Sequence, residues 1–361
     1  MTLRILVVDD TALFRRIVSD ALALLPDVEV IGTAPNGKIA LERVATLSPD
    51  LITLDIEMPE MDGLETLDAL RQRGLKCGVV IVSALTRKGG DLTIRALERG
   101  AFDFITKPDA GDQGSTLSAI SSALAPIVRA YRRHLEIRSI LKTGSVPVSP
   151  AATFPASPRS EIRPTPRKAD MVLVGVSTGG PNALAKLLPA LPVNFPAPIL
   201  IVQHMPPLFT QSLASSLAKK SSVKVKEAED GETILAATAY IAPGGRHMKI
   251  APGLKGETIL RITDDPLENN CRPSVDYLFR SVANHFTGNT TAVIMTGMGS
   301  DGVLGLRLLK RKNNFIVAQD EASCVVFGMP GEAIKAGVVD VVVPLDQIAD
   351  VVHRSVKSVR S

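Results

Sequence analysis

Residues 171–188 read MVLVGVSTGGPNALAKLL, and this stretch decides the fold of the second half of the chain. Its first six residues are apolar and rich in valine, as in a strand that is buried on both faces of a parallel sheet. A glycine-rich turn follows, and then Leu184, Leu187, Leu188 and Leu191 recur at helical spacing. A strand that passes through a tight turn into an amphipathic helix is the repeating unit of open α/β sheets.

The same alternation of strand and helix extends in both directions. Downstream, the strand-like runs are APILIVQ, TAYIAPG, TAVIMTG and NFIVAQD, and residues 248–263 have the pattern of an antiparallel hairpin. Upstream, residues 3–125 contain LRILVV, VEVIGTA, LITLD, GVVIVS and FDFIT. The first upstream helix is predicted over residues 12–25, with an apolar stripe of Leu13, Ile17, Ala21 and Leu25. We therefore predict a flavodoxin-like (βα)5 domain followed by a second doubly wound, mostly parallel α/β domain that carries a hairpin.

A proline-rich segment separates the two halves. Tyr131 begins a basic, helical tail, which leads into SVPVSPAATFPASPRSEIRPTPRK. Six prolines among Ser, Thr and Ala are typical of an extended linker and not of a packed core. A chain of 361 residues also suits two domains. We predict a first domain over residues 1–125, a tail and linker over 126–169, and a second domain over 170–361.

The composition narrows the class of protein. With 45% hydrophobic residues and no apolar run of about 18 residues, the chain is expected to be soluble and not to insert into a membrane. The N-terminus MTLRILVVDD lacks the pattern of a secretory signal, which predicts a cytoplasmic location. A net charge of +4 and scattered lysines and arginines do not favour a nucleic-acid partner. The cysteines, Cys77, Cys271 and Cys324, lack the spacing of a zinc site and are expected to be reduced thiols.

Polar residues at strand ends predict a phosphoryl-transfer site in the first domain. Asp9 and Asp10 follow the first strand, Asp55 ends the third, Ser83 ends the fourth and Lys107 follows the fifth. The carboxyl ends of parallel strands meet at one edge of the sheet. Three carboxylates that crowd there require a divalent cation, and an all-oxygen site suits Mg²⁺. With that cation and Lys107 nearby, Asp55 is a candidate nucleophile for a phosphoryl group.

The second domain carries a candidate serine nucleophile. Ser177 lies in a G-x-S-x-G pattern between a strand and a helix, which exposes a serine hydroxyl at a sheet edge. A serine needs a base, and the base needs a carboxylate that orients it. His204 and His247 both follow strands, so either fits the base. Asp301 and Asp276 likewise compete as the carboxylate. The glycine-rich turn alone equally fits a phosphate cradle.

Four motifs of the first domain occur together: LVVDD, LDIEMPEMDG around Asp55, VSA after the fourth strand, and TKP. With them the domain resembles the receiver domain of two-component response regulators. The resemblance implies that a histidine kinase phosphorylates Asp55. It also implies that Asp10, Asp55 and the backbone carbonyl of Glu57 bind Mg²⁺, with Asp9 acting through water. The residues that would respond to the phosphoryl group are Ser83, Phe104 and Lys107.

The second domain has its own set of motifs, GVSTGG at 175–180, QHMP at 203–206 and TGMGSDG at 296–302. Together with YIAPGGRHM, RPSVDYLF and FGMPGEAI, they resemble the catalytic domain of chemotaxis protein-glutamate methylesterases over almost all of residues 170–348. The resemblance implies a catalytic triad of Ser177, His204 and Asp301 with no cofactor. The backbone N–H groups of Thr178 and Met298 are our candidates for holding the oxyanion.

The two resemblances imply an enzyme under phosphorylation control. Its substrates would be glutamate methyl esters, and often glutamines, of methyl-accepting chemotaxis receptors, and its phosphodonor a chemotaxis histidine kinase. We hypothesise that the unphosphorylated receiver covers the hydrolase cleft and that phosphorylation of Asp55 loosens this contact. An alternative is a response regulator whose output domain only binds a partner or a nucleotide. A DNA-binding output is disfavoured because about 190 residues of strand-helix repeats far exceed a helix-turn-helix module.

Overall fold

The computed structural model describes residues 2–108, 113–143, 168–254 and 256–357. The first domain consists of β1 (Leu3–Val8), α1 (Ala12–Ala23), β2 (Val28–Ala34), α2 (Gly37–Leu47), β3 (Leu51–Asp55), α3 (Gly63–Gln72), β4 (Gly78–Ala84), α4 (Arg87–Glu98), β5 (Asp103–Lys107) and α5 (Gln113–Thr143). Its strands pair in parallel in the order β2-β1-β3-β4-β5. This confirms the flavodoxin-like prediction and places the ends of β1, β3, β4 and β5 at one edge.

Helices cover both faces of this sheet because successive strand side chains point to opposite sides. Leu6 and Leu54 face the side covered by α2, α3 and α4. Ile5 and Val80 face the side covered by α1 and α5. The buried cluster around Leu54 continues without a break into the second domain, so the two domains share apolar packing.

The buried face of α1 differs from the predicted stripe. Leu13 is 48% exposed, whereas the buried residues are Ile17, Val18, Ala21 and Leu22. Residues four apart are separated by about 40° around a helix axis, so a stripe of strict four-residue spacing drifts off the core within three steps. The buried face instead consists of two adjacent pairs, Ile17 with Val18 and Ala21 with Leu22, and the two pairs are one helical turn apart.

The second domain is built around a seven-stranded sheet. Its elements are β6 (Met171–Val176), α6 (Gly180–Leu187), β7 (Ile199–Gln203), α7 (Phe209–Ala218), β8 (Lys224–Glu227), β9 (Thr238–Ile241), β10 (His247–Pro252), β11 (Thr258–Thr263), α8 (Val275–His285), β12 (Thr290–Ile294), α9 (Val303–Arg311), β13 (Phe315–Gln319), α10 (Met329–Lys335), β14 (Val341–Val343) and α11 (Leu345–Val356). The sheet order is β14-β13-β12-β6-β7-β9-β8, and every pairing in it is parallel. The predicted antiparallel hairpin is formed by β10 and β11 outside this sheet.

The sequence did not predict the two edge strands, β8 and β14. The first is only four residues long and reads KVKE, and the second is only three. Short strands at a sheet edge bury few side chains, so they carry little hydrophobic pattern.

The tail that follows the first domain is helical, as predicted. It continues α5 without interruption through Pro126, so the predicted boundary at residue 125 falls inside this helix. The proline-rich residues 144–167 lie outside the described residues. Over the described ranges, no helix combines the length and the apolar character needed to cross a membrane.

Two leucines of α9 provide a matched test of the core. Leu306 is fully buried, whereas Leu304 is 56% exposed on the same helix. Leu306→Ala should lower the free energy of unfolding by about 2–5 kcal/mol because it leaves a cavity, and Leu304→Ala by less than about 1 kcal/mol. Urea unfolding of both variants measures the difference. Equal losses would contradict the described orientation of α9.

Candidate active sites

Ser177 lies at the carboxyl end of β6, at the centre of the seven-stranded sheet. The turn after it needs glycine at position 179 for two reasons. Gly179 has φ of +78°, and an added Cβ would lie 2.6 Å from the Val325 side chain. Ser177 itself is not among the described residues with positive φ, so this turn differs from the strained elbow of α/β-hydrolases.

Buried side chains hold the loops of this edge together. The Gln203 amide donates hydrogen bonds to the backbone carbonyls of Ser177 (3.0 Å) and His204 (3.1 Å). The Thr296 hydroxyl donates to the carbonyl of Thr178 (2.9 Å). These bonds join the ends of β6, β7 and β12, so the residues after each strand keep fixed positions.

His204 and Asp301 form a close pair beside Ser177. The Nε2 atom of His204 lies 2.8 Å from Oδ2 of Asp301, and Ser177 and His204 line one cavity of about 260 Å³. Among the described residues, the Ser177 hydroxyl makes no hydrogen bond. Because Nε2 faces the carboxylate, Nδ1 is the ring atom of His204 that is left to act as a base.

The Asp301 carboxylate accepts hydrogen bonds from five donors. They are the backbone N–H groups of Val275 (2.6 Å) and Asp276 (3.0 Å), the hydroxyl of Ser274 (2.9 Å), the amide of Asn269 (2.7 Å) and the ring of His204 (2.8 Å). Three of these donors come from the start of α8, whose dipole also favours negative charge there. Burial raises the pKa of Asp301, but His204 and the N–H groups outweigh burial and lower that pKa to about 2.

The same contact makes His204 a stronger base. Burial lowers the pKa of His204, but the hydrogen bond to Asp301, the neighbouring Cys271 and the charge of Asp301 together raise it to about 9. A carboxylate that orients an imidazole and stabilises its charged form is the arrangement that general-base catalysis by histidine requires.

His247 and Asp276, the alternative candidates for the base and the carboxylate, have other hydrogen-bond partners. His247 is fully buried in β10, with Nε2 3.0 Å from the carbonyl of Pro266, and its Nδ1 accepts from the N–H of Ser274 at 3.3 Å. Burial lowers its pKa. The carboxylate of Asp276 accepts from the N–H of Gly305 (2.7 Å) and from Asn269 (2.9 Å). Both side chains are therefore occupied in holding the loops around α8.

Thr178 directly follows Ser177 in the chain, and Met298 lies in the loop after β12. In the described part of the chain, neither backbone N–H has a hydrogen-bond acceptor. Met298 follows Gly297, where an added Cβ would lie 2.8 Å from Cβ of Ser177. Two free N–H groups next to a nucleophile are what an oxyanion site needs.

The first domain brings its acidic residues together as predicted. Asp9, Asp10 and Asp55 each offer an oxygen within 4.8 Å of the others. The Nζ atom of Lys107 lies 2.8 Å from Asp9 and 2.7 Å from Asp55. Burial raises the pKa of Asp55 to about 6, against the attraction of Lys107 and helped by the repulsion of Asp9.

This set of oxygens fits Mg²⁺. Asp9 Oδ2 is buried and makes no well-directed hydrogen bond, although Lys107 lies beside it. An all-oxygen set, in which buried Asp9 Oδ2 has an ion pair with Lys107 but no well-directed hydrogen bond, is the chemistry that a hard divalent cation prefers. The side chain of Glu57 points to Lys88, with which it forms an ion pair, so only its backbone carbonyl is a candidate ligand.

Of the switch residues Ser83 and Phe104, only Phe104 has a contact with the second domain among the described residues. The Ser83 hydroxyl lies 3.3 Å from the carbonyl of Gly89 in α4. The ring of Phe104 stacks on Phe209 of α7, with ring centres 4.9 Å apart and an angle of 12°. The aromatic residue of the receiver site therefore contacts the hydrolase domain directly.

Comparisons with known proteins agree with both sites. The model of the CheB methylesterase family matches residues 172–352, and that of the response regulator receiver domain matches residues 5–116. A protein-glutamate methylesterase/protein-glutamine glutaminase of Desulfotalea psychrophila is 52% identical, over 98% of this chain and 99% of the relative. This chain belongs to the CheB methylesterase family.

Other members extend the comparison. A protein of the same description from Halalkalibacterium halodurans is 44% identical over 98% of this chain and 99% of the relative. The crystal structure of the Thermotoga maritima CheB methylesterase catalytic domain is 42% identical, with a TM-score of 0.50, and the match covers 52% of this chain and 98% of that one. Membership in this family does not favour the alternative of an output domain that only binds a partner.

Sequence reasoning missed several residues of the catalytic edge. Asn269 and Asn270 both have positive φ (54° and 59°), in a tight turn closed by backbone bonds between Glu268 and Cys271. An Asn-Asn pair is a recognisable turn signal. That Asn269 reaches Asp301 has no sequence signal, since the two are 32 residues apart.

The raised pKa of Asp55 makes the stability of the first domain depend on pH. Without a divalent cation, the folded state keeps this proton up to about pH 6, whereas the unfolded chain loses it near 3.8. The stabilisation from Asp55 is therefore present below pH 3.8 and is lost as the pH rises through about 6. Asp55→Asn should stabilise the domain at pH 7 relative to wild type.

Chemical unfolding in a chelator at pH 4 and pH 7 checks this prediction. The advantage of Asp55→Asn should shrink at pH 4, where the folded wild type is protonated at this position. Added Mg²⁺ should stabilise wild type more than the variant, because only wild type offers the full set of carboxylates. An advantage of the same size at both pH values would contradict the assignment.

Proposed function

We propose that this chain is a phosphorylation-activated serine hydrolase that demethylates glutamate methyl esters on methyl-accepting chemotaxis receptors. It also deamidates receptor glutamines to glutamate, the second activity in the name of its relatives. The observation that carries the proposal is that His204, paired with Asp301, lines one cavity with Ser177 at a sheet edge. The enzyme provides sensory adaptation in chemotaxis, and we place it in the cytoplasm with the receptor segments that it modifies.

The reaction is an acyl transfer in two steps. Nδ1 of His204 removes the proton of the Ser177 hydroxyl as Oγ attacks the glutamyl carbonyl. The negative charge on the carbonyl oxygen is held by the N–H groups of Thr178 and Met298. The tetrahedral intermediate breaks its bond to methoxide or to the amide nitrogen, and His204 returns the proton, so that methanol or ammonia leaves.

Water completes the cycle. His204 removes a proton from water, which attacks the acyl-serine, and the bond to Ser177 Oγ breaks as the proton returns to it. The product is a glutamate carboxylate for both substrates, because they differ only in the leaving group. Asp301 keeps its charge throughout and stabilises the protonated form of His204.

The receiver domain supplies the control. Asp55 attacks the phosphoryl group of a phosphohistidine on a chemotaxis histidine kinase, and Lys107 balances the added charge. Mg²⁺, when bound by Asp9, Asp10, Asp55 and the carbonyl of Glu57, neutralises the phosphoryl oxygens. The cluster of carboxylate oxygens of Asp9, Asp10 and Asp55 supports this proposed Mg²⁺ site and the proposed phosphorylation.

Contacts between the domains support the view that the receiver covers the hydrolase cleft. The cavity beside Ser177 is also lined by receiver residues 103–106. Asp103 accepts a hydrogen bond from the hydroxyl of Thr178 at 2.7 Å, one residue from the nucleophile. The Asn182 amide donates to the carbonyl of Leu97 at 2.9 Å. A receptor side chain reaches Ser177 only after these contacts open.

The switch residues connect phosphorylation with this cover. When the phosphoryl group forms at Asp55, the hydroxyl of Ser83 turns toward it and leaves the carbonyl of Gly89. Phe104 then turns inward and gives up its stack on Phe209. Both changes weaken the packing of α4 and β5 on α7, so the receiver moves off the cleft.

Activity measurements test the catalytic residues. Ser177→Ala and His204→Gln should each lower methanol release from methylated receptor at least about 10³-fold, because residues of a triad act as one unit. His247→Gln should lower release only in proportion to the fraction of folded protein, since that ring contacts no reacting atom. A triad-sized loss in a fully folded His247→Gln enzyme would assign the base to the wrong histidine.

A disulfide across the interface tests the cover. An added Cβ at Gly90 of α4 would lie 3.6 Å from Cβ of Ser212 in α7, a separation that suits a disulfide. The double variant Gly90→Cys/Ser212→Cys should not respond to a small phosphodonor when it is oxidised. After reduction, the same protein should respond as wild type does. If the oxidised protein were activated normally, opening of this interface would not be the switch.

A further inference from the structure

Cys271 lies next to the catalytic pair. Its Sγ atom is 3.9 Å from Nδ1 of His204, and Cys271, His204 and Asp301 each offer one ligand atom within 4.8 Å of the others. Within the described residues, this group and the receiver carboxylates are the two clusters that are close enough to hold a metal ion. We propose that Sγ of Cys271 and Nδ1 of His204 bind Zn²⁺, with Asp301 orienting the ring through Nε2, and that this binding inhibits the hydrolase.

The ligand chemistry selects the metal. A thiolate and an imidazole are ligands that Zn²⁺ accepts in a tetrahedral site, and a carboxylate on the other ring nitrogen fixes the orientation of the imidazole. With Zn–S of about 2.3 Å and Zn–N of about 2.0 Å, tetrahedral angles place the two ligand atoms about 3.5 Å apart. The Sγ of Cys271 and Nδ1 of His204 therefore need to approach by only a few tenths of an ångström. Mg²⁺ prefers oxygen ligands and goes to the receiver site.

The cluster is fixed before any ion arrives. Cys271 ends the tight turn at Asn269 and Asn270, where its N–H and carbonyl pair with the backbone of Glu268 at 2.9 and 3.2 Å. The amide of Asn269 holds Asp301 from the same turn. Ligands that are already in place lose little conformational freedom on binding, which favours affinity.

The other thiols lack these partners. Cys77 and Cys324 belong to neither metal-sized cluster of the described residues. Burial raises the pKa of the Cys77 thiol to about 11 and raises that of Cys324 further. Cys271 and His204 are only partly buried, so an ion reaches them from solvent with a position left for water. Cys324 therefore serves as the matched control for Cys271.

Inhibition follows from which atoms the ion occupies. An ion on Nδ1 of His204 takes the lone pair that accepts the proton of Ser177, while Nε2 keeps its contact with Asp301. The ion therefore removes the general base. This consequence rests on the proposed function, whereas the binding of Zn²⁺ does not.

The test compares Cys271→Ser with Cys324→Ser in the full chain. Calorimetric titration with Zn²⁺, in excess Mg²⁺ to saturate the receiver carboxylates, should give one tight site in wild type and in Cys324→Ser. Mutation of a residue that only hydrogen-bonds to a metal ligand weakens metal affinity by about tenfold or more. Loss of the thiolate ligand itself in Cys271→Ser should therefore weaken Zn²⁺ binding at least about tenfold. Co²⁺ in place of Zn²⁺ should give a thiolate-to-cobalt absorption band in wild type and none in Cys271→Ser.

Esterase rates complete the test. Zn²⁺ should inhibit wild type and Cys324→Ser at the concentrations at which it binds. The rate of each protein is expressed relative to its own rate without Zn²⁺. A chelator should restore the activity. Equal Zn²⁺ affinity in Cys271→Ser and wild type would overturn the site, whatever the enzyme's activity. Tight binding that leaves the rate of an active enzyme unchanged would overturn the inhibition.

Discussion

Five hydrogen-bond donors converge on the Asp301 carboxylate, and the geometry of the catalytic edge depends on that convergence. The carboxylate accepts hydrogen bonds from the start of α8, from the turn at Asn269 and from the ring of His204. These groups belong to separate parts of the chain. Because burial of a carboxylate is costly without such partners, the donors and the charge need each other. Removal of the carboxylate would leave the N–H groups of Val275 and Asp276 buried without an acceptor. Asp301, which we propose orients the base, is thus also a structural residue.

The contact between the domains is of a different kind. Much of its rim consists of exposed polar pairs, such as Lys220 with Glu98 (2.6 Å) and Arg87 with Gln211 (3.3 Å). Pairs of this sort contribute about 0–1 kcal/mol each. Closer to the cavity, burial raises the pKa of Asp103 to about 6, so a charge there opposes its own burial. The domains also share the buried apolar cluster and the Phe104–Phe209 stack, so under the proposed function a phosphoryl group at Asp55 has to weaken that packing as well as the polar rim.

The sequence predicted the parts whose pattern is local. Apolar runs located the strands, and the strand ends located the carboxylates around Asp55, because parallel strands bring those ends together. His204 and His247 could not be separated in this way, since each follows a strand. They differ in where those strands lie: β7 pairs with β6, whereas His247 begins a hairpin outside the sheet. Cysteine spacing likewise indicated no zinc site, because the partners of Cys271 lie 67 residues upstream in His204 and 30 residues downstream in Asp301.

Rigidity and switching occupy separate parts of the molecule. Ser177, His204 and Asp301 follow three neighbouring central strands, where buried bonds from Gln203 and Thr296 leave little freedom. Folding has already ordered the side chains of this site, so binding costs little further conformational entropy. This stabilises the transition state and, equally, any bound ion that matches the same ligands. The receiver instead meets the second domain in a contact that combines exposed polar pairs with shared apolar packing. Under the proposed function, such a cover would regulate without distorting the catalytic residues, because it would change access to Ser177 and not the positions of the groups around it.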